Sequence, residues 1–368
     1  ARPGEEPKSF RVSSLMGFLG LRRVELETAS VGDMIAIAGA PDVTVGDTIC
    51  TPQNPEPLPA IEVDPPTIIM MFRSNDSPFT GLEGKFVTSR HIRNRLRREA
   101  EHNVSLLIEE TEDPEVFRIA GRGVLHLGVF VETLRREGYE IQVGAPEVIT
   151  RENPETGDME EPYEHAEIQV AQEYSGGVIE VLGQRGGRMD DMQLMQDGTA
   201  KLKFSITSRG LMGYRSQFLT DTRGTGVFSS VFSHYGPLAT GLDSRAQGFL
   251  IAQDTGETVG YALNNLQERG TLFVDPGQRV YGGQVIGLNA KDRDLVVNPG
   301  KQKKLSNVRA SGSDEAIRLT PPWKPSLEQA LELLGPDEIA EFTPESIRIR
   351  KRILDHSERR KYEKGKAS

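Results

Sequence analysis

One order of elements, met twice in succession, constrains this chain more than any other feature: strand, helix, strand, strand, helix, strand. In the first pass Thr67–Arg73 reads as a strand and Thr88–Glu101 as a helix, with Ile92, Leu96 and Ala100 four apart on one face. Val104–Ile108 and Val116–Ala120 follow as strands across the Asp113-Pro114 turn, then helix Gly123–Glu137 and strand Tyr139–Val143. In the second pass strand His165–Ala171, helix Gly177–Gln184 and strand Met189–Leu194 lead to an Asp197-Gly198 hairpin turn. Beyond it Ala200, Leu202, Phe204 and Ile206 alternate with Lys201, Lys203, Ser205 and Thr207, the period of a half-buried strand. Helix Leu211–Thr222 and strand Val227–Tyr235 complete the pass. Each pass is a split βαβ, or ferredoxin-like, unit. The expectation is a multidomain α+β chain with such modules at residues 64–147 and 148–237.

The flanks have other textures. Residues 1–63 read as short strands, among them Met34–Ile37 and one beginning at Asp47, that end in the Pro-rich stretch Pro52–Pro59. They look like the C-terminal part of a β-barrel whose remainder lies upstream. Residues 238–356 predict a mostly β domain with one or two helices. Its strands are Gly248–Ala252, Thr258–Leu263, Leu272–Val274, Gln284–Leu288 and Ile347–Ile349, with a polar basic loop at Asn298–Ser306. Ser326 and Gln329 form a capping box that opens a helix through Leu334. Residues 357–368 are a basic tail. At ~150 residues per domain, 368 residues allow two to three ordinary cores.

Charge sets a puzzle. The chain has 44 basic and 54 acidic residues, a net charge of −10, which argues against nucleic acid on bulk charge alone. The basic residues are clustered, however. One group runs from Lys85 through Arg90, Arg93, Arg95 and Arg97 to Arg98, a second is Lys301, Lys303, Lys304 and Arg309, and a third runs from Arg348 to Lys366. Three such patches point toward a polyanion met at defined places.

Catalytic chemistry is not legible. A phosphate-binding loop needs GxxxxGK[ST], so that successive amides curl around phosphates. Gly81-Leu-Glu-Gly84-Lys85 has two residues between its glycines and Phe86 after the lysine. Gly236 and Gly241 have the right gap, but Leu242 and Asp243 follow. The single Cys50 excludes disulfides within the chain and Cys-rich zinc modules. The six histidines show no ligand-type spacing, so no metal site is expected, and no nucleophile motif is present. No apolar run approaches the ~18 residues of a membrane span.

Several motifs together carry a resemblance. They include Gly84-Lys-Phe-Val-Thr-Ser-Arg90, Gly121-Arg-Gly-Val-Leu-His-Leu127 and Ser208-Arg-Gly-Leu-Met-Gly-Tyr-Arg215. Ser233-His-Tyr235, Asn264-Asn-Leu-Gln-Glu-Arg-Gly270 and Lys304-Leu-Ser-Asn-Val-Arg-Ala-Ser-Gly312 follow in order. From about Arg11 to Arg360 the chain closely resembles the BipA/TypA family of ribosome-binding translational GTPases. Elongation factor G shares the two modules but inserts a large domain between them, where this chain has only Ile149–Glu161. The family usually has Glu at the positions of Val124 and Gln217. The resemblance implies a barrel domain II, domains III and V, and a family-specific C-terminal domain. It implies no catalysis by this chain, with the GTPase domain and its GTP and Mg lying upstream. The partners it implies are large-subunit rRNA and proteins of the ribosomal factor site and A-site tRNA, met by a monomer in cytoplasm or organelle stroma. Roles in large-subunit assembly and stress adaptation come with it. The residues expected at RNA are Lys301, Lys303, Lys304 and Arg309, with Arg209 and Arg215 near rRNA. The rival expectation is a tandem protein-interaction or small-molecule-sensing module without ribosome affinity.

Overall fold

The structure, a computed structural model, describes residues 1–366 except 41, 42, 44, 60–63, 243–246 and 303–317. Residues 1–64 with 98–104 form one compact unit, and residues 65–97 with 105–368 form a second.

In the first unit β1 (Ser14–Leu19), β2 (Arg22–Glu25) and β3 (Ile35–Ala38) make an antiparallel sheet in the order β2-β1-β3. A two-residue turn joins β1 to β2, and Gly20 takes the left-handed φ of 62° that it requires. No closed barrel forms among the described residues. Large apolar side chains of this unit stay in solvent, Leu19 at 72% and Met34 at 78% exposure. The strand expected from Asp47 is absent: Val45 and Gly46 form a turn, and the prolines beyond lack the amide that a ladder needs.

Beyond residue 64 come β4 (Ile68–Ser74), α1 (Ser89–His102), β5 (Leu107–Glu110), β6 (Val116–Gly121), α2 (Val124–Glu137) and β7 (Ile141–Gly144). Helix α1 buries Ile92 and Leu96, one turn apart, in a core shared with Phe117 and Phe72 of the sheet. The strand order β7-β4-β6-β5 places the first strand between the last and the third. Two short strands, β8 (Glu147–Val148) and β9 (Arg151–Glu152), lead out by pairing with β4 and with the next strand, β10 (Met159–Ala171).

The second pass continues with α3 (Gln172–Gln184), β11 (Arg188–Leu194), β12 (Thr199–Thr207), α4 (Ser208–Leu211), α5 (Tyr214–Asp221) and β13 (Val227–Pro237). Its order, β11-β12-β10-β13, repeats the first. The alternation seen in the sequence is real: Ala200, Leu202, Phe204 and Ile206 are fully buried with Val178, Leu182 and Phe218. The single helix expected over 211–222 does not form. The chain breaks it at Met212-Gly213, where Gly213 adopts a φ of +73°.

The last region holds β14 (Phe249–Ala252), β15 (Gly256–Glu257), α6 (Gly260–Leu266), β16 (Gly270–Leu272), β17 (Arg279–Val280), β18 (Val285–Asn289) and β19 (Leu295–Val297). After these come α7 (Leu327–Leu333), β20 (Glu338–Phe342), β21 (Ile347–Lys351) and α8 (His356–Lys366). The strand expected at Thr258–Leu263 is replaced from Gly260 by α6, because Ala262, Leu263 and Leu266 lie on one helical face and are buried together. The capping box of Ser326 and Gln329 is formed at the start of α7. β16, β18, β14 and β19 form a four-stranded sheet, whereas β20 and β21 leave it and extend the first module's sheet to β21-β20-β7-β4-β6-β5. Ala330 and Leu331 of α7 join the core of that extended sheet, with Met212 packed against it from the second module.

Candidate nucleic-acid interface

Whether a basic residue can meet RNA depends on what it already holds. On α1, Arg95 clasps Glu137 with two bonds of 2.6 and 2.8 Å, and Arg97 and Arg93 share Glu110 at 2.8 and 3.5 Å. Half of the first basic cluster is thus neutralised by its own module, and Lys85, Arg90 and Arg98 remain exposed.

Part of the third cluster turns inward, while Arg352, Arg360, Lys361 and Lys364 stay exposed. Alternation along β21 sends Arg348 and Arg350 into a buried polar layer. Arg348 donates to Glu341 at 2.9 Å and to Glu83, and Arg350 to Gln142 at 2.9 Å and to Asp76. Asn75 and Ser77 also donate to Glu341, each at 3.0 Å, and the Tyr281 hydroxyl does so at 2.8 Å. Burial first, and the Glu341 charge second, push the Tyr281 phenol well above its usual range. Lys351 is 3% exposed and enclosed by Asp294, Asp337 and Glu338, with Asp337 at 2.7 Å. Burial lowers its affinity for the proton, but Glu338 and the other acids outweigh burial, and its pKa is raised. That acidic group has the spacing of a cation site, and the cation it holds is the chain's own ammonium. Arg359 is also buried and donates to the carbonyls of Ile353 and Leu354. Alternating basic and apolar residues therefore read as a patch where the fold makes a core.

The loop that resembles a phosphate cradle is a cradle for a different anion. The amides of Gly81, Glu83 and Gly84 all donate to the Glu140 carboxylate, at 2.9, 3.0 and 2.6 Å. Glu140 is fully buried, and a Cβ at Gly84 would lie 2.4 Å from its side chain. Phosphate does not fit where a carboxylate already takes up these donors.

Among the residues expected at RNA, Lys301 is exposed and makes no ion pair among the described residues. The loop that presents it is anchored just before it, where the Gly300 amide donates to Asn298 Oδ1 at 3.0 Å and the Val259 amide to the Pro299 carbonyl at 2.9 Å. Lys303, Lys304 and Arg309 lie outside the described residues. Arg209 holds the fold together: it grips the fully buried Glu161 with bonds of 3.0 and 2.9 Å and donates to the Ala239 carbonyl at 2.6 Å. It thereby ties the exit of β13 back to β10. Arg215, at the start of α5, is exposed and unpaired among the described residues. The structure does not bring Arg209 and Arg215 into one unpaired patch.

Two features of this region escape a reading of the sequence. Arg223 follows α5 with a left-handed φ of 52° and an exposed side chain, at a position where glycine is the usual choice. Nothing in the local composition marks it, since Gly224 beside it is the residue that turn chemistry would select. Arg185 lies over the Tyr214 ring at 5.6 Å, donates to the Met212 carbonyl at 2.9 Å, and has its pKa lowered by burial. The open surface around α5 thus keeps Arg215 and Arg223 as its exposed guanidinium groups.

Comparison with known proteins gives these features a context. The family model described as the TypA/BipA C-terminal domain matches residues 247–356, and that of the elongation factor G C-terminus matches residues 158–245. The chain is 48% identical over 359 residues to the protein named large ribosomal subunit assembly factor BipA from Salmonella typhimurium, covering 97% of this chain and 59% of that protein. A Synechocystis protein of the same name is also 48% identical, over 93% of this chain and 57% of its own length. The chain thus spans less than two thirds of these relatives. A crystal structure of a Thermus thermophilus protein is 14% identical at a TM-score of 0.36, over 66% of this chain and 52% of that one, too slight a likeness to argue from. The sequence matches thus make the chain similar to BipA proteins over nearly its whole length, with residues 247–356 matching the TypA/BipA C-terminal domain.

Proposed function

We propose that this chain is the ribosome-docking portion of a translational GTPase that acts in assembly of the large ribosomal subunit. The observation that carries the reading is 48% identity over 97% of the chain to a protein named for that assembly. Its two βαββαβ passes are ferredoxin-like domains III and V of such a factor, residues 1–63 belong to its barrel domain II, and 238–356 form its C-terminal domain. In this reading GTP and Mg belong to another part of the whole protein. No phosphate-cradle sequence occurs in this chain, and the nearest approach to one is filled by Glu140.

The loop from Asn298 supplies the RNA contact. Its three lysines, Lys301, Lys303 and Lys304, stand in a glycine-containing segment that can follow a phosphate backbone without reading bases. Domain V adds Arg215 at rRNA, while Arg209 holds the fold and Arg309 assists the loop. The partners are large-subunit rRNA, proteins of the factor site and A-site tRNA.

Co-sedimentation with ribosomes at about 50 and about 200 mM salt tests this, beside a Lys301/Lys303/Lys304→Ala variant. Binding that falls steeply with salt, with a shallower slope in the variant, is the expected result. Equal slopes move the contact away from the loop. No binding by the chain at either salt favours the interaction-module alternative.

A further inference from the structure

No two histidines in the sequence have ligand spacing, yet the fold brings a pair together. His165 on β10 and His234 on β13 lie on neighbouring antiparallel strands, and the register slips at Tyr163/Glu164 so that Ser233 falls between them. His165 Nε2 and His234 Nδ1 each lie 2.9 Å from Ser233 Oγ. Two imidazole nitrogens therefore converge on one exposed point.

We propose that His165 and His234 form a binding site for a divalent transition cation of the zinc or nickel type. Both rings are already oriented for it. His165 Nδ1 faces Ser205 Oγ at 3.5 Å, and Ser205 donates to Asp190 at 2.5 Å, the kind of hydroxyl–carboxylate support that metal-bound histidines use. His234 stacks on Tyr163, with ring centroids 5.3 Å apart and planes within 14°. A cation held by both rings would take the place of the Ser233 hydroxyl on which the two nitrogens converge, at the ~2.0–2.1 Å of a zinc–nitrogen bond, and water would complete the shell. The donor set discriminates: imidazole nitrogens suit zinc, nickel and copper, whereas magnesium and calcium prefer oxygen. A bound cation would clasp β10 to β13 across the bulge.

The proposal is independent of ribosome docking, because its readouts need no ribosome. The full chain is titrated with zinc chloride and, separately, magnesium chloride, following heat of binding and Tm. One zinc per chain and a raised Tm are expected, with no response to magnesium. His165→Gln and His234→Gln should each weaken zinc binding at least tenfold, and Ser205→Ala by about tenfold. Unfolding without metal identifies any variant that has lost its fold, and His234→Phe, which keeps the stack on Tyr163, then serves instead. Zinc affinity equal in wild type and both histidine variants, a magnesium response as strong as that to zinc, or no zinc binding by the folded chain overturns the assignment.

Discussion

The two βαββαβ modules share one element order and one strand order, yet they are stabilised differently. The first has given up an edge: β7 accepts β20, and the added strands bring a layer of buried ions with them. The second keeps its sheet to itself. Its outer strand β11 is exposed at every residue, and its cross-strand charges, such as Lys203 and Glu167 at 3.7 Å, lie in solvent. Topology alone thus does not determine where a module is vulnerable. Buried ions form a layer in the first module, whereas in the second a part-buried pair, Arg209 with Glu161, stands beside solvent-exposed pairs such as Lys203 with Glu167.

The contrast is tested most directly by striking what each module leans on. Arg348→Ala strands the buried carboxylate of Glu341 and should cost about 3–5 kcal/mol in denaturant unfolding. Phe204→Ala should cost a similar ~3–5 kcal/mol, because the second module relies on its apolar core. If Arg348→Ala proves mild while Phe204→Ala is severe, the ionic layer adds little and the contrast fails. A smaller loss of about 1–3 kcal/mol is expected for Glu140→Gln, which cannot accept from all three amides at once.

Glu332, on α7, adds a pH-dependent probe where the C-terminal region meets the second module. A Cβ at Gly213 would lie 3.9 Å from Glu332 Cβ. Burial raises the Glu332 carboxyl, and this outweighs the opposing effects of Ser216 and Arg185, while Glu328 adds to the rise. A carboxyl raised in the folded state stabilises the fold least when it is ionised. Stability on its account should therefore fall as pH rises from the ordinary carboxyl range through the raised value. Glu332→Gln should be more stable than wild type at neutral pH, with the gap closing on acidification, as read from unfolding midpoints at several pH values. The smallest effect belongs to Lys203→Ala, expected within about 1 kcal/mol of wild type in the same assay.

Much of this organisation is legible in the sequence because it is local. Alternation along Ala200–Ile206 and the Ser326/Gln329 box both reflect residues a few positions apart, and both appear as read. Thr258–Leu263 misleads because a short apolar run looks alike to strand and helix until packing decides, and Met212-Gly213 breaks a helix that periodicity alone would continue. The basic clusters are hardest. Sequence shows that Arg348, Arg350 and Lys351 are close together, but not that Glu341, Asp76 and Glu338 await them. The hold of Arg209 on Glu161, 48 residues away, is invisible to the sequence for the same reason. The pairing of His165 with His234 arises only from strand register and a bulge, and has no one-dimensional signature.

The extended sheet also has a consequence for the order of events during synthesis. Asn75 and Glu341, which share a hydrogen bond, are separated by 266 residues. At roughly 5–20 residues per second, β7 leaves the translating ribosome some 10 to 40 s before β20 can cover it. Through that interval the nascent first module carries a bare strand edge and acids that have no cation yet. A chain stopped before Glu338 would keep that edge permanently, the condition in which strands recruit neighbours and aggregate.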